Sequence, residues 1–499
     1  MPTRQLHLAL AGPVEVADAL AALRAEVGLP AMFPTAVREE AEESAEGGGT
    51  APVDGAKARQ DRRDVELVTI DPPGSMDLDQ AVHVASSGRG YIVRYAIADV
   101  AAFVRPGGAL DSETHRRGTT VYGPDVRTPL HPTVLSEGAA SLLPDEDRPA
   151  VLWTIGLDAD GEITSSSVTR ATVRSRARLT YGEAQAQLDA GSASDSLSLL
   201  ADVGRLRQAR ERDRGGVSLE VPEQEIVPER DGTFTLELRR TLPVEGWNAQ
   251  ISLLTGIAAA AMMREAGVGL LRTLPPADDR DVARLRRTAA ALGIEWSEDA
   301  SYAQLVPTLE SRRPAHAAFL SEATTLFRGA GYLAFGVPGP DGGAPVTLPA
   351  DARHAAIAAE YAHVTAPLRR LADRYATEVC LAHAGGRDVP AWVAEALPGL
   401  PETMAAASRT AGAFERGSVD IVEAALLAGR EGEEFDGVVV DVRESRDDGD
   451  GAARRGEVML REPAVRARLE GDDLPLGERV RATLAEASVP ERTVRFTLP

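Results

Sequence analysis

The sequence predicts an α+β multidomain protein: a mixed α/β body, a C-terminal five-stranded OB-fold barrel and a small N-terminal helical module. Three observations predict it. Near the N-terminus, apolar residues recur at helical spacing. From Asp64 onward, β-rich runs give way to long helical stretches. After residue 433 the texture changes to short β segments separated by polar turns.

At 499 residues and 43% hydrophobic content, the chain is large enough for several domains. Residues 1–45 read as helical. Val16, Ala19, Leu20 and Leu23 form an apolar stripe opened by Pro13 and closed by Gly28, and a second short helix follows Pro34 with Ala36, Val37 and Ala41. The pair suits either a helix-turn-helix or a plain helical hairpin. Residues 46–63 contain a Gly-rich polar linker. The body spans 64–430. VELVTID and GYIVRYAIADVAAFV are strand-like, and VLWTIGLDADGEITSSSVTRATV reads as a hairpin. From about 180 to 425 the pattern is mainly helical. One long helix is expected from His354 to His383, with Thr365 as a cap and Pro367 early in a helical turn. In 431–499, FDGVVVDV, GEVMLRE, ERVRATLAEA and RTVRFTLP suggest about five strands, which suits a small closed barrel.

Composition narrows the function classes. No apolar run reaches the roughly 18 residues of a membrane helix, and the N-terminus lacks the pattern of a signal peptide. Cys380 is the only cysteine, which excludes an internal disulfide and a cysteine-held zinc, and suits the reducing cytoplasm. The 8 histidines show no HExxH-like spacing. A formal net charge of −22 argues against nucleic acid when averaged over the molecule. A basic channel inside an acidic shell remains compatible with it, because the local field governs binding.

The segment richest in chemistry is Thr69-Ile70-Asp71-Pro72-Pro73-Gly74-Ser75-Met76-Asp77-Leu78-Asp79-Gln80-Ala81. A strand delivers Asp71, a Pro-Pro-Gly-Ser loop follows, and Asp77 and Asp79 project to one side of an extended chain. Three carboxylates in a small space repel unless a cation neutralises them. All-oxygen ligands favour magnesium, with manganese as a substitute, and such sites serve phosphoryl chemistry. On spacing alone an acidic surface loop is the commoner reading.

The segment resembles the catalytic motif of the RNB family, the ribonuclease II and ribonuclease R exoribonucleases. Four further segments share the resemblance in order: the Ala98-Asp99-Val100 run, Arg117 to Asp125, Leu135 to Val151, and Tyr361 to Arg370 with Asp373 beyond it. The resemblance implies 3′→5′ hydrolysis of single-stranded RNA with a free 3′ end to nucleoside 5′-monophosphates, by an expected monomer. It implies that Asp71 and Asp77 hold metal and that Asp79 is the most critical acid. By the same resemblance Arg369 contacts the scissile phosphate, with Arg370 beside it on the RNA. Tyr122 abuts the terminal base, Glu415 lies near the terminal nucleotide, and His363 makes a structural hydrogen bond.

Two departures stand out. The motif's fourth acid is Gln80 here, whose amide oxygen could ligate magnesium without charge. The family usually begins with two cold-shock-type barrels, whereas the residues before 64 read helical, so RNA access is expected to be built differently. A Lys-rich tail like that of ribonuclease R is also not seen. A catalytically weak RNA-binding protein of the same fold, and a hydrolase of a different phosphodiester, stay open as alternatives.

Overall fold

The computed structural model describes residues 14–49, 58–219, 223–228, 234–239, 241–310, 313–339, 342–443, 454–460 and 465–498. Pro13 and residues 50–57 of the expected linker lie outside them.

The N-terminal helices are α1 (Val14–Glu26) and α2 (Thr35–Glu46). Gly28 adopts a φ of +74°, the left-handed conformation that ends a helix without a Cβ penalty. The two helices do not share a core. Val16, Leu20 and Leu23 of α1 pack with the C-terminal half of the chain, while Val37 and Ala41 of α2 pack against Phe103 and Leu110. They are therefore fastened to the body at two places and do not form a free-standing hairpin.

The strands β1 (Gln60–Asp61), β2 (Leu67–Asp71), β3 (Gln80–Ser87) and β4 (Gly90–Ala98) precede helix α3 (Ala109–Arg117). β5 (Asp147–Leu157) and the long β6 (Ile163–Thr180) follow as the expected hairpin. The sheet order is β1-β6-β2-β3-β4-β5. β6 pairs antiparallel with β5 through its first part and parallel with β2 through its last, which returns the ladder on itself. Fully buried Val93, Tyr95, Ile97, Trp153 and Ile155 form its interior.

β6 runs directly into α4 (Tyr181–Asp189). Thr180 accepts the Glu183 N–H at 3.1 Å, and Glu183 reaches back to the Thr180 N–H at 2.8 Å. Helix α5 (Asp195–Asp213) leads to a two-stranded pair, β7 (Glu223–Pro228) and β8 (Phe234–Arg239). The 24-residue α6 (Pro243–Ala266) starts with proline in its first turn. A second ribbon, β9 (Gly269–Thr273) with β10 (Gly331–Phe335), brackets α7 (Asp279–Ala291), α8 (Tyr302–Leu305) and α9 (Pro314–Ala323). Both ribbons interrupt the stretch expected to be helical.

The long helix expected from His354 to His383 is corrected. Only α10 (Leu371–Ala384) is helical, and residues 354–370 run as an irregular segment. Alanine-rich composition overstated helix there. The residue before a proline is biased away from helix, which disfavours Ala366 before Pro367. The backbone polar groups also find other partners: the N–H groups of Ala366 and Leu368 go to Asp373 and Asp79, and the Thr365 carbonyl goes to Gln80.

The body ends in α11 (Ala391–Ala396) and α12 (Leu400–Leu427). Five strands then close a barrel in the order β11-β12-β13-β15-β14: β11 (Glu434–Arg443), β12 (Arg454–Leu460), β13 (Arg466–Gly471), β14 (Arg479–Ser488) and β15 (Thr493–Thr497). Val439, Val458, Leu469, Leu484 and Phe496 fill it, and Phe414, Val422 and Leu427 of α12 join it to α1. No described helix is long and apolar enough to cross a membrane.

Candidate active site

β2 ends at Asp71, and the chain then reverses. The Ser75 N–H donates to the Pro72 carbonyl at 3.2 Å, with Gly74 at a φ of +80° in the third turn position. That is the backbone of a type II turn, which requires a positive φ there. The returning strand is fixed around Asp77 from both sides. Ser141 Oγ donates to the Met76 carbonyl at 2.6 Å and accepts the Leu78 N–H at 3.0 Å. The Leu142 N–H then donates to the Leu78 carbonyl at 3.0 Å. Leu78 is fully buried between its two acidic neighbours, and extended-chain alternation puts Asp77 and Asp79 on the side opposite to it.

Asp77 is gripped by two residues of the 117–127 segment. Tyr122 Oη donates to Oδ2 at 3.1 Å, and Arg127 Nη1 to Oδ1 at 2.9 Å. Arg127 also pairs with Glu137. Asp79 lies deeper, at 4% exposure. Its Oδ1 accepts the Leu368 N–H at 2.7 Å, and its Oδ2 lies 3.5 Å from Arg369 Nε.

The segment carrying Leu368 and Arg369 is itself held. The Arg369 carbonyl accepts from Thr119 Oγ1 at 2.8 Å and from the Thr120 N–H at 3.0 Å. Buried His131 bonds the Leu368 carbonyl through Nδ1 at 3.0 Å. A carbonyl only accepts, so Nδ1 carries the proton. Burial also lowers the His131 pKa to about 4, which keeps the ring neutral. Fully buried Asp373 accepts the Ala366 N–H at 2.6 Å and both arms of the Arg370 guanidinium at 2.9 and 3.0 Å.

Electrostatic strain concentrates on the acids. Burial, then the charge of Asp77, raises the Asp71 pKa to about 7, against the pull of Arg369 and Arg178. Among the described residues the Asp71 carboxylate makes no hydrogen bond or ion pair. Burial raises Asp79 as well, opposed by Arg369 and by the Leu368 N–H. Tyr122 is pushed up by burial and by Asp77, so it stays a neutral donor. This is the signature of carboxylates gathered without enough positive charge.

Among the described residues no three acidic or imidazole groups converge on one point. The donor set still fits a hard divalent cation. Asp71, Asp77 and Asp79 offer only oxygen, Asp71 has no hydrogen-bond or ion-pair partner among the described residues, and a cation would relieve the burial and repulsion that raise Asp71 and Asp79. Gln80 does not offer its oxygen to that group. Its Nε2 donates to the Thr365 carbonyl at 2.7 Å, which turns Oε1 toward the Tyr95 hydroxyl, and Tyr95 donates to it. Gln80 is thereby built into the frame between β3, β4 and the 365–370 segment.

The structure thus brings together Asp71, Asp77, Asp79, Tyr122 and Arg369, and commits Arg370 to Asp373. Half-buried Glu415 follows Phe414 on α12, whose ring lies against Gly123. His363 bonds Tyr332 Oη through Nδ1 at 2.7 Å, a structural role. Sequence reasoning missed Arg127, Ser141, His131, Thr119 and Tyr95. The first four sit inside or beside the motif runs, and their spacing does not show that they face Asp77 and the 368–369 backbone.

Comparison with known proteins places the chain in a class. Residues 59–383 match the RNB domain, and residues 433–498 match the RNase II-type exonuclease C-terminal S1 domain. The chain belongs to the RNB family. Exosome complex exonuclease RRP44 homolog A of Arabidopsis thaliana is 31% identical over 349 residues, covering 66% of this chain and 36% of that protein. Ribonuclease R of Aquifex aeolicus is 26% identical over 455 residues, covering 87% of this chain and 61% of that protein. The chain therefore spans less than two thirds of these relatives. Among solved structures, the apo form of Mycoplasma genitalium RNase R superposes with a TM-score of 0.81 at 20% identity, over 97% of this chain and 78% of that one. Yeast Ssd1, described as a pseudonuclease, superposes at 0.62 and 17% identity, over 87% and 53%. At these identities the superpositions show a shared fold.

Proposed function

We propose that this chain is a metal-dependent 3′→5′ exoribonuclease that hydrolyses single-stranded RNA and releases nucleoside 5′-monophosphates. The observation that carries the reading is the seat of Asp79, a buried carboxylate between the Leu368 N–H and the Arg369 guanidinium, beside Asp77 and Asp71. Membership of the RNB family supports it.

In this reading Asp71, Asp77 and Asp79 hold magnesium, with manganese able to substitute. Bound there, such an ion supplies the charge that lowers the pKa of an attacking water and steadies a leaving oxygen. The chain's own residues do the rest. Arg369, fixed through its carbonyl by Thr119 and Thr120, presents its guanidinium to the scissile phosphate, where charge develops. Tyr122 holds Asp77 through its hydroxyl and offers its ring to the terminal base. Glu415 approaches the terminal nucleotide from α12. We place the protein in the cytoplasm, acting as a monomer on RNA with a free 3′ end.

The second reading is an RNA-binding protein of the same fold with weak catalysis. It is favoured by the commitment of Gln80 to Tyr95 and Thr365, which leaves three acids rather than four. RNA labelled at either end and incubated with magnesium decides between them. A ladder shortening from the 3′ end supports the nuclease. Retention of the RNA on the protein without shortening, even in manganese, supports the second reading.

A further inference from the structure

Beyond the acidic site, the β9–β10 ribbon presents a cation that the catalytic reading does not use. Arg272 and Tyr332 are register partners on neighbouring strands. The Arg272 guanidinium lies over the Tyr332 ring, 4.8 Å from its centroid, and Nη1 reaches the Gly331 carbonyl at 3.3 Å. Its backbone N–H donates to the Tyr361 carbonyl at 2.8 Å, which ties the ribbon to the segment leading to Arg369. Tyr332 is fixed in turn by His363, which burial keeps neutral.

Arg272 has no carboxylate partner among the described residues. In a chain of net charge −22, several guanidiniums of the body are paired, among them Arg127 with Asp77, Arg370 with Asp373 and Arg374 with Asp111. A second cation, Arg370, adjoins it, and Asp373 balances that one, so the charge of Arg272 itself is left in excess. A half-buried guanidinium with fork-shaped donors and no acid suits a phosphate oxygen pair. Arg369 lies six positions after His363, a reach of at most about 20 Å even if extended. The cluster thus lies within a few nucleotides of the scissile position.

We propose that Arg272, seated on Tyr332 beside His363 and Arg370, is a phosphate subsite that grips the RNA backbone away from the scissile linkage. The inference rests on the exoribonuclease reading. It adds a cationic foothold for the strand that the acidic centre itself cannot supply.

The test is RNA binding by the full chain in EDTA, where turnover is blocked, measured by fluorescence anisotropy of a short 5′-labelled oligoadenylate across a salt series. Arg272→Gln is expected to weaken binding about tenfold, as removal of a charge-assisted hydrogen bond does. It should also flatten the log–log salt slope by about 0.7, the change expected when a single strand has one fewer neutralised phosphate. Arg272→Lys, which keeps the charge but not the fork, should restore the slope and recover only part of the affinity. It also guards against a Gln variant that folds poorly. With magnesium present, KM should rise while kcat at saturation stays unchanged. Competition with inorganic phosphate and adenosine 5′-monophosphate separates sources of the ligand. If the Gln variant weakens these and leaves RNA affinity intact, the subsite holds product or free phosphate and the proposal is overturned. An unchanged salt slope in a chain that binds RNA also overturns it and spares the nuclease reading. No RNA binding by the parent chain overturns both.

Discussion

Replacing Asp71 with asparagine separates two roles of this carboxylate. As a ligand it is needed. As an unpaired acid it is a liability to the folded chain. Its pKa rises from 3.8 to about 7, chiefly from burial and then from Asp77. The unfolded chain releases this proton near pH 4 and the folded chain near pH 7, so between those values the native state binds more protons and its stability falls as pH rises. Each pKa unit corresponds to about 1.4 kcal/mol, so ionising Asp71 above pH 7 costs the fold on the order of 4 kcal/mol. The carboxylate is only half-buried, and solvent screening reduces that to roughly 2 kcal/mol.

Asparagine keeps the shape and removes the charge. In EDTA at pH 8, Asp71→Asn should therefore be more stable than the parent by roughly 2 kcal/mol, with the gain vanishing near pH 4. Urea unfolding followed by tryptophan fluorescence at pH 5, 6.5 and 8 reads this directly. Magnesium should reverse the order, because a ligand bound to the native state stabilises by mass action and the variant binds it less tightly. A variant less stable than the parent in EDTA at pH 8, or parallel pH dependences for the two, would refute the reasoning that Asp71 is an uncompensated charge awaiting a cation.

The remaining predictions concern the frame and the chemistry. Asp79→Asn should keep RNA affinity in a filter-binding assay while lowering kcat by at least about a hundredfold. Arg369→Ala should lower kcat by a factor on the order of 10² to 10³, with the loss falling on kcat rather than KM in steady-state kinetics, since its charge meets the phosphate as charge develops. Ser141→Ala removes two bonds and leaves the buried Leu78 N–H unsatisfied; it should cost about 2 kcal/mol in urea unfolding and raise the magnesium concentration needed for half-maximal hydrolysis. Gln80→Asp restores a fourth acid, but places it against the Thr365 carbonyl in place of a donor; magnesium titration should show no gain in metal affinity, and a lower half-saturation would mean that Gln80 is a weakened ligand and not a frame residue.

The fold was legible in proportion to how locally it is encoded. The α1 stripe with Gly28, the β5–β6 hairpin and the barrel follow from periodicity and turn residues, and each is present. The 354–370 segment was not legible from composition, because its backbone is bonded to Asp79, Gln80 and Asp373, two of which lie nearly three hundred residues earlier in the chain. The site divides the same way. Asp71, Asp77 and Asp79 stand out from a surface loop only together with the ordered segments downstream of them, because their spacing alone suits either. Arg127 does not, because nothing local distinguishes an arginine that reaches Asp77 from one that faces solvent. The direction in which the Gln80 amide points was equally hidden, since it depends on Tyr95 and the Thr365 carbonyl.

Gln80 shows why the exchange of an acid for an amide need not be a loss. A carboxylate can only accept, and at this position it would meet the Thr365 carbonyl, another acceptor. An amide donates to Thr365 and accepts from Tyr95, so it satisfies both neighbours and joins the strand after Asp79 to the segment that supplies Leu368 and Arg369. Those two residues oppose the burial of the Asp79 charge, through one guanidinium and one N–H. The side chain next to buried Asp79 therefore acts on it by fixing the backbone of its partners. The charge given up there is one that Asp71 and Asp79, already raised by burial and crowding, were poorly placed to tolerate.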